Sequence, residues 1–305
     1  MNYPIENNNL NLKLTLVDGD IQITGEERQD IEIELGDLRK NTADEVFDIS
    51  YENGDLSIIQ KDSKKLLKTF NIKGVDVQIK LPSKIILSGE VKNVSGDINF
   101  QDISEYAGSI STRNGDVEIN KIKDADIKIN IVNGDLSAKE TDGKFKINNV
   151  NGDVRLKESN YKAININNVN GDILVDGSYE LEEDAKIKIV SGDIKLNCND
   201  YKNERKIVIS SVTGDNVVSD KFPEGVIIQH GGLKELKNLK FLKDSFKPMI
   251  QQFKEHFKHM PFDKVKEEVN PKKNDEENIQ LILKMLSEGK ITAEDAEKLI
   301  SALKK

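Results

Sequence analysis

The chain has no tryptophan, one cysteine, three histidines and six prolines among 305 residues. A single cysteine excludes an intramolecular disulfide framework and fits a reducing compartment. Cys198 follows the apolar-alternating stretch Ile194–Leu196 and has no histidine near it in sequence, so it reads as an inert packed thiol rather than a nucleophile. The histidines, His230, His256 and His259, all fall late in the chain. His256 and His259 stand three apart on a helical pattern without a third ligand, which fits a solvated helix face better than a metal site. No catalytic residue, metal or cofactor is therefore expected. No stretch reaches the roughly 18 apolar residues of a spanning helix. Met1–Leu16 lacks the basic flank and apolar run of a signal peptide. The expected location is cytoplasmic. Positive charge is also not in excess. Lys and Arg number 45 against 54 Asp and Glu, a net charge of −9, which gives no overall bias towards nucleic acid.

What the chain does have is a repeat. Glycine followed by aspartate recurs as Gly19-Asp20, Gly36-Asp37, Gly54-Asp55, Gly96-Asp97, Gly115-Asp116, Gly134-Asp135, Gly152-Asp153, Gly171-Asp172, Gly192-Asp193 and Gly214-Asp215, with Gly74 in the one wide gap. From Gly96 onward the steps are 19, 19, 18, 19, 21 and 22 residues, a period that means an array of small units. Apolar residues recur five before the glycine (Val91, Ile110, Ile129, Ile147, Ile166, Ile187, Ile209) and two before it (Val132, Val150, Val169, Val190, Val212). They recur again two after it (Ile98, Val117, Leu136, Val154, Ile173, Ile194) and four after it (Phe100, Ile119, Leu156, Val175, Leu196). Spacing by twos is the strand period. The step of three from minus five to minus two breaks that parity and calls for a bend there if both residues face inward. Asn-Gly between apolar runs is ordinarily a hairpin signal and would suggest an antiparallel meander. A meander has no reason to repeat one parity break at one offset, whereas a coil stacked on its own copy does. The expected fold is mainly β: a parallel β-solenoid of about 19 residues per coil. Eleven glycine units at about 4.8 Å each make a rod on the order of 50 Å long.

Each glycine is expected at a corner with positive φ, and each following Asp is expected to cap its own turn. Stacked, the aspartates form a ladder. Calcium is the sharper reading of such a ladder, since carboxylates and turn carbonyls are hard oxygen ligands. The glycine-rich nonapeptide of calcium-binding solenoids is absent, however, which favours simple capping.

Residues 1–90 read as irregular coils that cap one end of the array, and residues 91–232 as its regular part. Over 233–260 the period becomes helical, with Leu236, Leu239, Leu242, Phe246, Phe253 and Phe257 on the apolar face and lysines outnumbering acids. This segment is expected either to cap the rod or to lie on an anionic membrane surface, which would place the protein at the inner face of the membrane. Residues 261–278 form a charged, proline-flanked linker. Residues 279–305 form a helical hairpin whose stripe, Ile279, Ile282, Leu286, Leu299 and Leu303, is too small to hold a core alone. Self-association through it is the expected partner contact.

The segment Leu81-Pro82, then Val94-Ser95-Gly96-Asp97-Ile98 and the Gly-Asp units after it resemble the bacterial "putative adhesin" family of β-solenoids, a domain of unknown function. The stretch Leu286-Ser287-Glu288-Gly289-Lys290-Ile291-Thr292-Ala293-Glu294-Asp295-Ala296 resembles the SHOCT-like hairpin joined to such solenoids in envelope-stress-associated proteins of Gram-positive bacteria. The resemblance implies a non-enzymatic scaffold or interaction protein of the cell envelope, with a protein or cell-wall partner that it does not identify. The alternative is a carbohydrate-active β-helix enzyme. The regular turn acids and the scarcity of aromatics in the array argue against that alternative.

Overall fold

The β-branched residues that recur at the strand period dictate short strands, and the computed structural model winds those strands into one coil. It describes residues 1–5, 8–38, 41–61 and 74–231. Long strands at Ile86–Ser95, Glu105–Asn114, Asp124–Asn133 and Gly143–Asn151 pair side by side in parallel, with Ile110 opposite both Val91 and Ile129, and Ile129 opposite Ile147. The stack continues through Val154–Asn170, Ala185–Ser191, Ile207–Thr213 and Ile227–Gly231. Short strands after each glycine make a second parallel stack, Ile98 on Val117, Val117 on Leu136 and Leu136 on Val154. The protein is a parallel β-solenoid, and parallel register excludes the meander. Chemically like residues pile into columns. Val91, Ile110, Ile129, Ile147, Ile166, Ile187 and Ile209 are all fully buried.

The parity break lies elsewhere than the valine spacing suggests. Strand alternation runs on without a bend from minus five to minus three, where Asn93, Thr112, Ile131, Asn149, Asn168 and Ile189 are buried. Val94, Val132, Val150, Val169, Val190 and Val212, expected inward, are only half-buried and form a row on the outer surface. Parity is reset at the glycine itself. Its positive φ turns the chain so sharply that the residues three before and two after both face the core.

The N-terminal region departs from sequence order. Asn9–Asp18 lies between Ile86–Ser95 and Asp55–Gln60, and Ile21–Glu26 lies between Ile98–Gln101 and Val77–Pro82. Beyond them the pairing turns antiparallel. Phe47–Glu52 lies on Asp55–Gln60, Asp30–Leu35 on Val77–Pro82, and Asn2–Pro4 on Asp30–Leu35. Gly36 and Gly54, counted with the repeat, are not corners of parallel coils. Asn53 and Gly54 both have positive φ, 53° and 83°, and close an antiparallel hairpin of the primed type. The array therefore has fewer parallel corners than its eleven glycine units suggest. Antiparallel strands end the array because they cover the sheet edge without propagating the coil.

Candidate interaction edge

The corner that organises each coil is built from the backbone outward. Gly96, Gly115, Gly134, Gly152, Gly171, Gly192 and Gly214 have φ between 108° and 151°. A Cβ on Gly152 would lie 2.1 Å from the carbonyl oxygen of Gly134 in the coil beneath. The corner therefore demands glycine twice over, for its φ and for its stacking contact.

The aspartates after these glycines do form a ladder, but they do not cap their own turns. Each backbone N–H donates to the Oδ1 of the aspartate one coil back: Asp20 to Asp76, Asp97 to Asp20, Asp116 to Asp97, Asp135 to Asp116, Asp153 to Asp135, Asp172 to Asp153, Asp193 to Asp172 and Asp215 to Asp193, at 2.7–2.9 Å. The reason is geometric. Stacking at strand spacing brings the next coil's N–H within reach of a short side chain that lies along the rod axis. The ladder also runs unbroken across the permuted coils. Val75-Asp76 takes the place of a Gly-Asp pair there, and Gly74 only packs against Gly19. Burial opposes ionisation of Asp135, yet the Asp153 N–H and the Arg155 guanidinium together hold its carboxyl below the usual range. Arg155 bridges Asp135 and Asp153.

Three amide rows run beside the ladder, and the sequence reading did not single them out. At minus one, Asn133 donates to Asn114, Asn151 to Asn133 and Asn170 to Asn151. At minus four, Asn130 donates to Ser111, Asn148 to Asn130 and Asn167 to Asn148, and these residues are 3–8% exposed although they alternate with the core positions. At minus three, Asn93, Asn149 and Asn168 point inward, and each Nδ2 donates to the carbonyls of two stacked corner glycines. Their Oδ1 atoms have no partner. The signal was present in sequence: residues 147–153 and 166–172 are identical, Ile-Asn-Asn-Val-Asn-Gly-Asp. A repeated polar residue between two inward positions marks a stacked ladder as surely as a repeated apolar one.

The edge is thus a strip of amides and half-buried valines that runs beside an unbroken ladder of carboxylates. Its carboxylates are engaged by backbone donors in a repeating way, and none stands apart as an acid–base pair would. Among the described residues no group of three or more His, Cys, Asp or Glu could hold a metal ion. Cys198 is buried, and burial pushes its thiol pKa up, which suits packing rather than nucleophilic attack. The expected membrane or capping residues Leu236, Leu239, Leu242, Phe246, Phe253 and Phe257 lie outside the described residues. So do the hairpin residues Ile279, Ile282, Leu286, Leu299 and Leu303.

No curated protein matches the chain. Among solved structures, a "putative cell adhesion protein" from Clostridium sporogenes is similar with a TM-score of 0.26 and 12% identity, covering 76% of this chain and 98% of that one. A "putative lipid binding protein" from Parabacteroides distasonis is similar with a TM-score of 0.28 and 14% identity, covering 75% and 96%. A SHOCT-like domain model matches residues 277–305, the segment in which the helical hairpin is expected. The Toastrack DUF4097 model matches residues 7–227, which takes in nearly the whole coiled array with its Gly-Asp corners, and the chain belongs to that family.

Proposed function

We propose that this protein is a non-enzymatic scaffold of the bacterial cell envelope, associated with envelope stress and peripheral to the inner face of the membrane. The observation that carries the reading is the unbroken ladder from Asp76 to Asp215, in which one hydrogen bond repeats along the rod. A rigid edge of repeated groups suits a spacer and an extended binding surface, whereas hydrolysis needs a singular constellation. Residues 233–260 supply the basic amphipathic segment for an anionic lipid surface. Self-association is assigned in this proposal to residues 279–305, where the sequence spacing predicts a helical hairpin whose apolar stripe needs a second surface to cover it.

Two measurements on the full chain test this. Fractionation of expressing cells should recover part of the protein with membranes, and Leu242→Asp with Phe253→Asp should release it. Sedimentation should show an oligomer that Leu286→Asp with Leu299→Asp converts to monomer while the far-ultraviolet spectrum stays that of a β-protein. A wild type that is wholly soluble in cells and monomeric at tens of micromolar would overturn the proposal.

A further inference from the structure

Towards the N-terminal end of the regular coils three outer rows depart from the pattern together, while the aspartate ladder runs on past them. The valine row runs Val94, Arg113, Val132, Val150, Val169, so a guanidinium stands where the pattern places an isopropyl group. In the minus-four row the amide ladder ends on Ser111, and the next coil places Lys92 opposite it. In the minus-one row the ladder ends at Asn114, whose carbonyl accepts from Asn133. The next coil offers Ser95, too short to continue the chain of amides.

Arg113 forms no hydrogen bond or ion pair with any described residue, although it is only half-exposed. Burial pushes its pKa down, and no carboxylate acts to raise it. Lys92 is 6% exposed and is held by Glu90 at 2.5 Å. Parallel register places Lys92 and Arg113 on one face as diagonal neighbours, roughly 7–8 Å apart at the backbone. Structural pairing does not account for a lone guanidinium in an apolar row. Elsewhere on the rod Arg28 binds Glu26, Asp30 and Glu32, Arg155 binds two ladder aspartates, and Arg205 lies exposed to water.

We propose that this break is a binding site for a phosphate-type oxyanion, with the Arg113 guanidinium as its fork and the Lys92 ammonium as the flanking donor. The planar guanidinium offers parallel N–H groups that match two oxygens of a tetrahedral anion. Lys92 is already shared with Glu90, so Arg113 makes the principal contact. The inference goes beyond the scaffold reading and does not depend on the segments after residue 231.

The test is thermal unfolding of the full chain in sodium phosphate against sodium chloride of equal ionic strength and pH. A ligand that binds only the folded rod raises the melting temperature with its concentration, and a single fork on an open face predicts a dissociation constant on the order of millimolar. Arg113→Val restores the residue that the row carries elsewhere, so the variant is expected to fold. Its melting temperature should start at or above that of the wild type and show only the small, non-saturating rise that phosphate gives folded proteins generally. Arg113→Lys should weaken the response about tenfold, since a point charge replaces a fork. Flotation with phosphatidylglycerol vesicles separates the sources. Binding lost in Arg113→Val assigns the site to a phosphodiester headgroup, and a phosphate response without such loss assigns it to soluble phosphate. Equal shifts in phosphate and chloride, or the same phosphate response in Arg113→Val, would overturn the proposal.

Discussion

At the scale of single residues, the corner glycines separate conformational strain from steric exclusion. Gly152 has φ +134°, and its missing Cβ would meet the Gly134 carbonyl at 2.1 Å. Gly225 also has positive φ, +77°, but nothing lies within 4 Å of its Cβ position. Gly225→Ala should therefore lose about 1 kcal/mol, the cost of a left-handed backbone alone. Gly152→Ala adds a backbone clash that only a shift of the whole stack relieves, and it should cost more than about 3 kcal/mol. Denaturant melts of the two variants measure the difference, and equal losses would mean that the corners tolerate a wider coil spacing than the register shows. The buried asparagines belong to the same scale. Asn149 and Asn168 lie at positions where Ile131 and Ile189 also fit, yet their amides satisfy two glycine carbonyls apiece.

At the scale of the strand, the placement of the parity break makes opposite predictions for two valines. Val154, two after its glycine, is fully buried, and Val169, two before the next, is half-exposed. Val154→Asp places an unpaired carboxylate in the core column and should cost several kcal/mol, enough to disrupt neighbouring coils. Val169→Asp adds a charge to a solvated row and should cost less than about 1 kcal/mol. Urea unfolding of both variants decides the matter. Comparable destabilisation would return the bend to the position that the valine spacing implies. The spacing misled because half-buried rows on a solenoid's outer face are also stacked and also favour β-branched residues, so apolar periodicity alone does not give the side.

Across the whole molecule, aromatic rings pack from coil to coil: Phe145 edge-on to Tyr161, Tyr161 tilted against Tyr179, and Tyr179 stacked on Tyr201 and tilted against Phe222. Burial pushes the phenol pKa values of Tyr161 and Tyr179 up strongly, and raises that of Tyr201 to about 12. A folded-state pKa above the unfolded value of about 10 means that the neutral phenols favour folding fully below that pH. That contribution is lost as pH climbs from there through the raised values. The rod should melt in alkali between about pH 10 and 12, with phenolate absorbance rising in step with loss of circular dichroism. Tyrosines that ionised near pH 10 with the β-signal intact would show the column to be open to water. The ladder makes a second prediction at this scale. One oxygen of each aspartate from Asp76 to Asp193 is taken by a backbone N–H, which leaves no converging set for calcium. Millimolar calcium should shift the melting temperature no more than magnesium does, and chelator should leave it unchanged. A rise of many degrees with calcium alone would make the ladder a ligand set.

The sequence by itself determined that this chain coils. One glycine per 19 or so residues, with apolar residues at fixed offsets, allows a repeating corner and a single-file core, because stacked copies need like residues at like positions. Leucine, isoleucine and valine at minus five, plus two and plus four were legible as core for the same reason. Only the tertiary structure decided which neighbour each coil meets. Asn9–Asp18 lies against Ile86–Ser95 and Asp55–Gln60 rather than against the next unit in the chain, and Asn53-Gly54 makes a hairpin although it carries the same dipeptide signal as Asn151-Gly152. A local signal fixes the bend of the backbone but not its partner, which depends on what edge is free when the chain returns. The break at Lys92 and Arg113 became visible for the same reason. Lys92 and Arg113, residues of ordinary type 21 apart in sequence, become neighbouring donors only when parallel register sets adjacent coils side by side.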